Sequence, residues 1–178
     1  MSADAIEGGS PREAFLSAFR RHASGVAVLT VMSENGPAGV TITSLASVSR
    51  EPPLLSFGIA VASSCWPAVR DTDGFVVNIL AEGQHDLAAL FARRGADRFG
   101  PLTRWSRLPT GEPLLDGVAA WLRCRVRERF IAGDHRLILG QVVDGGSDPR
   151  HRPLLYHDGT YHALIPYDRR KSAGGTDD

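Results

Sequence analysis

Short hydroxyl side chains are concentrated in residues 41–49, Thr-Ile-Thr-Ser-Leu-Ala-Ser-Val-Ser, where five of nine residues are Ser or Thr. Such hydroxyls, together with backbone N–H groups, can hold a phosphate or the polar edge of a heteroaromatic ring. Ser and Thr are also common where a strand simply turns a corner before prolines such as Pro52 and Pro53. The segment is a candidate ligand site, and its residue types leave the simpler interpretation as a turn open.

Two other turns carry groups that suit a ligand of this class. Ser63 and Ser64 precede a helix predicted at 66–71, and the N-terminus of a helix favours an anion. The Gly-Asp-His sequence at 133–135 lies between two predicted strands, so a tight turn would present the imidazole of His135 at the rim of the sheet. A histidine in a turn is often only exposed, and the preceding Asp is itself a common turn residue.

The signatures of several other chemistries are missing from the sequence. No Gly-x-Gly-x-x-Gly or Gly-Lys-Ser/Thr motif occurs, so a nucleotide would have to be held by other means. The six histidines show no His-Glu-x-x-His or paired-cysteine spacing, and we expect no metal site. Covalent catalysis has little support, because there is no Gly-x-Ser-x-Gly motif and neither Cys65 nor Cys124 lies in an activating context.

Charge and hydropathy exclude two classes of partner. Twenty Lys and Arg balance twenty Asp and Glu, which disfavours nucleic-acid binding. The longest apolar runs, 26–32 and 54–62, are far shorter than the ~20 residues that cross a bilayer, so we expect no membrane association. The chain starts Met-Ser-Ala-Asp without the basic and then apolar order of a secretory signal, which predicts a cytoplasmic location with reduced cysteines.

A helix is predicted ahead of the first strand. Ser10 is expected to be its N-cap, with Pro11 at the first helical position, Glu13 completing a capping box and Gly25 beyond its end. The side chains expected to form a core-facing stripe on this helix are Ala14, Phe15, Ala18 and Phe19.

Short runs rich in β-branched and aromatic residues follow, separated by Gly, Pro and Asp turns. The predicted strands span residues 26–32, 38–43, 54–60, 75–81, 119–131, 137–143 and 160–165. Only two other stretches, 66–71 and 85–94, have a helical pattern, which is too few to connect successive parallel strands. We therefore predict one mainly β domain over 10–168, with an antiparallel sheet closed into a barrel and flexible tails at 1–9 and 169–178.

Together these residues resemble the short-chain flavin reductase family, whose members share an FMN-binding split β-barrel, an antiparallel and Greek-key-like fold with a few short helices. The similarity extends from residue 15 to residue 164, and its landmarks occur in the family's order. They are FRRHASGVAVLT (19–30), GVTITSLASVS (39–49), PPLL (52–55), FVVNIL (75–80), DRF (97–99), AGDHRLILG (132–140), PLLY (153–156) and GTY (159–161).

The resemblance implies a flavin site and a pyridine-nucleotide site. The residues expected to line the isoalloxazine are Thr41, Ile42, Thr43 and Ser44. Those expected on the ribityl and phosphate side are Ser47, Ser63, Ser64, Arg98 and Phe99. His135 is expected to contact the nicotinamide as the catalytic residue, and Tyr161 to provide a second contact with the pyridine nucleotide.

Two positions depart from the family pattern. Many relatives carry Asn at the position of Thr43, which changes how the ring edge is hydrogen-bonded. Many also carry a basic residue shortly before Ser63, where this chain has three small apolar residues, 60–62. A flavin held without that charge would bind more loosely, which suits a substrate better than a permanent prosthetic group.

The function implied by the resemblance is an NAD(P)H:flavin oxidoreductase. It would reduce FAD or FMN by hydride transfer from NADH or NADPH and supply free reduced flavin to a partner flavin-dependent monooxygenase. A homodimer is expected, with flavin near its interface. The alternatives are a non-catalytic flavin-binding or redox-sensing module on the same barrel, and an oxidase of the pyridoxamine phosphate type, against which the Gly-Asp-His motif argues.

Overall fold

The computed structural model describes residues 9–167, over which three helices and twelve strands occur. The helices are α1 (Pro11–Arg20), α2 (Trp66–Asp71) and α3 (His85–Ala92). The strands are β1 (Ser24–Gly25), β2 (Ala27–Ser33), β3 (Gly36–Ile42), β4 (Ala46–Arg50), β5 (Pro53–Ala60), β6 (Gly74–Ile79), β7 (Trp105–Arg107), β8 (Pro113–Leu115), β9 (Ala120–Ala132), β10 (His135–Ser147), β11 (Leu154–His157) and β12 (Thr160–Ala163). Apart from Gly9, the predicted tails lie outside the described residues.

Seven strands form the main sheet, in the order β3-β2-β6-β9-β10-β5-β4, and every neighbouring pair is antiparallel. A smaller sheet joins β1, β11 and β12, and β7 pairs with β8. The main sheet curls until β3 lies close to β5, but no hydrogen-bonded ladder joins these two strands in the described chain. The prediction of a mainly β, antiparallel fold with few helices is confirmed, and the barrel is split between β3 and β5.

The core lies on the concave face of the curled sheet. Alternate residues of β2, β5 and β6 point inward and pack as one cluster with single residues of β9 and β10. Phe57 and Phe75 meet edge to face there, with ring centroids 5.3 Å apart. Gly140 makes room for this pair, because a Cβ at that position would lie 2.5 Å from the Phe75 ring. Burial of these apolar side chains favours the curled sheet, in which β3 comes close to β5.

All seven predicted strands are present with shifted ends, and five more were missed. The largest miss at the candidate site is β4, since residues 46–50 pair with β5 as a strand where none was predicted. β4 has no continuous apolar pattern, because it is an exposed edge strand. Its pairing is irregular at Val48, where a β-bulge interrupts the register. None of the helices in the described residues is long and apolar enough to cross a membrane.

Helix α1 confirms one prediction and corrects another. Its capping box is present: Glu13 N donates to Ser10 Oγ at 3.3 Å, and Ser10 N donates to Glu13 Oε2 at 2.8 Å. The predicted core-facing stripe is wrong, because no residue of the helix is buried and Phe15 and Phe19 are 58% and 59% exposed. The stripe residues Ala14 and Ala18 are exposed as well. Strand side chains already fill the core, which leaves the helix outside.

Candidate functional site

The split between β3 and β5 forms a cleft of about 330 Å³. Six of the predicted site residues line it, namely Thr41, Ile42, Thr43, Ser44, Ser63 and His135. The remaining lining residues are Val40, Gly58, Ile59 and Ala60. The cleft exists because the barrel does not close, so backbone and short side chains of two facing strands stay accessible to a ligand.

Ser44 fixes the end of β3 to β5 through its hydroxyl. Gly58 N donates to Ser44 Oγ at 2.9 Å, and Ser44 Oγ donates to Gly58 O at 3.2 Å. The ladder between β4 and β5 ends at the pair Ala46 and Ser56, so these are backbone groups of Gly58 that β4 leaves without a partner. One serine hydroxyl therefore replaces a strand partner and sets the floor of the cleft.

The other residues at the end of β3 divide into structural and available groups. Thr41 Oγ1 donates to Ala88 O of α3 at 2.7 Å, which ties β3 to that helix. The Ile42 side chain is 5% exposed and packs in the core. Thr43 is exposed, and its hydroxyl has no hydrogen-bond partner among the described residues. Thr43 is therefore the hydroxyl of this group that is available to a ring edge.

His135 stands at the rim of the cleft, at the start of β10. Gly133 has a φ of 60°, which allows the tight turn from β9, and His135 pairs with Ala60 of β5. Its Nδ1 lies 2.8 Å from Asp134 Oδ1. The hydrogen bond from His135, followed by the charge of that imidazole, lowers the pKa of Asp134, so the carboxylate is ionised and can only accept. Nδ1 is therefore the donor, and Nε2 is left for a ligand.

Ser63 and Ser64 lie on the turn that follows β5. Ser63 Oγ accepts from Cys65 N at 3.2 Å, which shapes the turn. Ser64 Oγ accepts from Arg98 Nη1 at 3.2 Å, and Arg98 Nη2 donates to Arg93 O at 2.9 Å. Arg98 Nε is buried without a hydrogen-bond partner in the described part of the chain. The guanidinium of Arg98 thus lies beside the turn at Ser63 and Ser64, although residues 60–62 before that turn include no basic side chain.

Five predicted site residues do not line the cleft: Ser64 and Arg98, which meet at the turn after β5, and Ser47, Phe99 and Tyr161. Ser47 is exposed on the edge strand β4. Phe99 packs edge to face between Phe91 and Trp105, at centroid distances of 5.3 and 5.4 Å, in a second apolar cluster. Tyr161 belongs to β12 and lines a separate depression, where burial raises the pKa of its phenol. Ser64 borders a larger depression of about 880 Å³ beside α2. A single copy of the chain does not bring these groups to the cleft.

Sequence reasoning missed Gly58 and Ala60, which give the β5 side of the cleft its small side chains. A Cβ on Gly58 would lie 3.7 Å from Ser44 Oγ and 3.9 Å from His135 Cδ2, so it would point between the two groups. An isolated glycine inside a strand pattern was the available signal, because such a glycine often marks a close approach of a ligand or backbone. The described residues contain no group of three His, Cys, Asp or Glu side chains placed to hold a metal ion.

Comparisons with known proteins identify the family to which this sequence and fold are similar. A model described as flavin reductase like domain matches residues 19–164. An NADH:FMN oxidoreductase of Rhodococcus erythropolis is 42% identical over 156 residues, which cover 85% of this chain and 81% of that protein. HsaB, the reductase subunit of a flavin-dependent monooxygenase of Rhodococcus jostii, is 33% identical over 178 residues, or 100% of this chain and 88% of that protein.

Solved structures agree. A flavin reductase domain protein from an Arthrobacter species has a TM-score of 0.83 at 38% identity, with 88% of this chain and 98% of that chain covered. The NADH:FAD oxidoreductase SgcE6 of Streptomyces globisporus, solved with NAD and FAD fragments, has a TM-score of 0.83 at 28% identity, with 90% and 97% covered. The sequence landmarks, the split antiparallel barrel and these matches lead to one conclusion: the chain belongs to the flavin reductase family.

Proposed function

We propose that this chain is a flavin reductase that oxidises NADH and releases reduced flavin to a partner monooxygenase. The observation that carries the proposal is the cleft between β3 and β5, which brings Thr43, Ser44, Gly58 and His135 together from three separate segments. Relatives named as NADH:FMN oxidoreductases and as reductase subunits of flavin-dependent monooxygenases support the same activity. NADH is the proposed reductant because those names specify it.

The cleft fits a flat heteroaromatic ring such as the flavin isoalloxazine. Gly58 leaves open the space that a Cβ would occupy between Ser44 and His135. Thr43 offers a free hydroxyl at the ring edge, and the backbone at Ser44 is held rigid by its two bonds with Gly58. Flavin supplies the redox chemistry when bound, because it accepts a hydride from the nicotinamide. The chain's own contribution is therefore to hold and align two rings.

His135 is the proposed nicotinamide contact. Asp134 accepts from Nδ1, so in the tautomer that carries its proton on Nδ1 the Nε2 atom is an acceptor. The carboxamide N–H₂ of a nicotinamide is a donor of matching polarity. The histidine thus orients the nucleotide over the cleft, a role that requires no proton transfer to the reacting atoms.

The proposed phosphate side comprises Ser63, Ser64 and Arg98. Arg98 reaches the turn through Ser64 and supplies the cation that the residues before Ser63 lack. Nη1 and Nη2 of Arg98 already donate hydrogen bonds within the chain. The guanidinium therefore attracts a phosphate by its charge but has fewer free N–H groups to bind it. This arrangement favours weak binding, in which bound flavin exchanges with free flavin in solution. The roles proposed for Ser47, Phe99 and Tyr161 stay predictions.

A homodimer in the cytoplasm is the proposed working form. The outer face of β10 and β9, next to the cleft, carries exposed apolar residues, with Leu137 40% and Phe130 48% exposed. Leu137 is the β10 partner of Gly58, so a second copy on this face would lie beside the cleft. Both cysteines are free and buried, which suits a reducing compartment.

The test is steady-state oxidation of NADH under air with added FAD or FMN, followed at the reduced-nicotinamide absorbance band. Turnover that saturates with flavin supports the reductase and ranks the two flavins. Flavin binding without turnover would instead identify the non-catalytic binding module.

His135→Ala tests the proposed nucleotide contact in the same assay. It should raise KM for NADH about tenfold or more with little change in flavin KM, because it removes a contact to one substrate only. His151→Ala is the matched control, since His151 is an exposed histidine beside an aspartate, Asp148, and lines neither the cleft nor the depression that contains Tyr161. Equal NADH KM in the two variants would contradict the role of His135.

A further inference from the structure

Helix α1 is a short amphipathic helix without a surface to pack on. None of its residues is buried, and Phe15, Leu16 and Phe19 are 58%, 48% and 59% exposed. The Phe15 and Phe19 rings stack on each other at 4.5 Å, so they form one apolar ridge. An isolated helix of fewer than about 12 residues is only marginally stable in water, and most helices gain stability by packing an apolar face. The ridge of α1 therefore needs a partner surface.

The same chain carries a second uncovered surface, which we call the outer apolar face. It consists of Leu54, Phe130, Leu137 and Leu139. The adjacent residues on β5 and β10, Leu55 and Ile138, point the other way into the core, so the three leucines project outward. Phe130 stands directly opposite Leu137 across the β9–β10 ladder. A row of apolar side chains thus crosses the sheet next to the cleft.

The chain does not bring these two surfaces together by itself. α1 has no extensive contact with any other described element, and its C-terminal end is tied to the β11–β12 turn, where Asp158 N donates to Arg20 O at 3.1 Å. The outer apolar face belongs to the main sheet instead. A second copy of the chain would provide an outer apolar face for the ridge of α1 and a ridge for the outer apolar face.

We propose that α1 of each subunit packs its Phe15–Phe19 ridge on the outer apolar face of the other subunit, an inference that rests on the proposed homodimer. A two-fold axis makes this exchange reciprocal, so both ridges and both faces are covered at once. At ~200 Å² for a large apolar residue, the two surfaces expose roughly 500–650 Å² per copy, below but of the same order as the ~800 Å² that each partner gives a stable interface. The areas therefore suit a dimer.

Charge and position support the same arrangement. Arg12 precedes Phe15 and Leu16 by three and four residues, so it lies on the ridge side of α1. Glu128 stands opposite Leu139 on the outer apolar face. Neither has an ion-pair partner among residues 9–167. Because Leu137 pairs with Gly58, the partner's helix would lie next to the cleft and form part of its wall.

The first test compares two double variants by sedimentation equilibrium at micromolar concentration. Phe15→Glu with Phe19→Glu should sediment as a monomer of 19.2 kDa, whereas wild type should sediment at twice that mass. Ala14→Glu with Ser17→Glu adds the same charge on the opposite side of α1 and should remain dimeric. A dimer of unchanged dissociation constant in the phenylalanine variant would overturn the proposal.

The second test asks which surfaces meet. Chains carrying Phe19→Cys and chains carrying Leu137→Cys are mixed and oxidised, and the disulfide-linked dimer should form at least fivefold more in the mixture than in either chain alone. Ser17→Cys mixed with Leu137→Cys is the control, and equal yields would overturn the exchange. Native Cys65 and Cys124 are buried and stay out of the reaction. NADH oxidation by wild type tests the proposed function separately, because neither mass nor cross-linking depends on turnover.

Discussion

Replacing Ser44 by Ala removes the hydroxyl that links the end of β3 to β5. Gly58 then loses the acceptor of its N–H, at 2.9 Å, and the donor to its carbonyl, at 3.2 Å. A hydrogen bond contributes about 1 kcal/mol net, and Ser44 is exposed, so water replaces part of what is lost. We expect a decrease of about 1.5 kcal/mol in the free energy of unfolding, which lowers Tm by roughly 3–6 °C in a chain of this size.

The same change should affect flavin more than NADH. Thr43 and the backbone at Ser44 form the β3 side of the cleft, and they lose the contact that holds them against β5. We expect the KM for flavin to rise by about three- to tenfold, up to the equivalent of 1.4 kcal/mol. His135 lies on another strand and takes no part in the two hydrogen bonds between Ser44 and Gly58. The KM for NADH should therefore change by less than about twofold.

Ser33→Ala is the matched control for this prediction. Ser33 Oγ also makes two hydrogen bonds to backbone groups, from Asn35 N at 3.3 Å and to Gly36 O at 2.9 Å, but in the β2–β3 turn away from the cleft. It should lower Tm similarly and leave flavin KM unchanged. Thermal unfolding and steady-state kinetics are measured on both variants. Equal flavin KM in Ser44→Ala and Ser33→Ala would refute the reasoning.

Three further changes have distinct outcomes. Gly58→Val should keep Tm within about 3 °C of wild type yet raise flavin KM more than tenfold, because its side chain enters the cleft; unchanged flavin kinetics would contradict this. Asn78→Leu removes three buried hydrogen bonds and should cost about 3 kcal/mol in urea unfolding; a loss under 1 kcal/mol would show that the network is dispensable. Burial alone would raise the pKa of Glu112, but hydrogen bonds from Arg123 and a threonine outweigh it and lower that pKa. This stabilisation is present above the unfolded-state pKa and lost as pH falls through the folded one, so the stability gap between wild type and Glu112→Gln should narrow below about pH 4.5; a constant gap would exclude this linkage.

The difference between predicted and observed elements follows the strength of each local signal. Strands with continuous apolar or alternating patterns, such as residues 26–32 and 54–60, were predicted to within a few residues because their side chains must enter the core. β4 was missed because an exposed edge strand carries no such pattern. The capping box of α1 was predicted since Ser10 and Glu13 interact only with each other. Its burial was not, because periodicity shows that a face is apolar but cannot show what covers it.

The amino-acid sequence was enough to predict the antiparallel β class, the caps and turns, the family resemblance and the residue types around 41–44 and 133–135. These depend on contacts between near neighbours or on motifs read directly from the chain. The folded chain was needed to show that the split lies between β3 and β5, that Gly58 forms the floor of the resulting cleft, and that Arg98 reaches Ser64. It also separated Ser47, Phe99 and Tyr161 from that cleft. These features depend on long-range pairing and packing, which fix the distance between segments, and no local pattern encodes which strands remain unpaired.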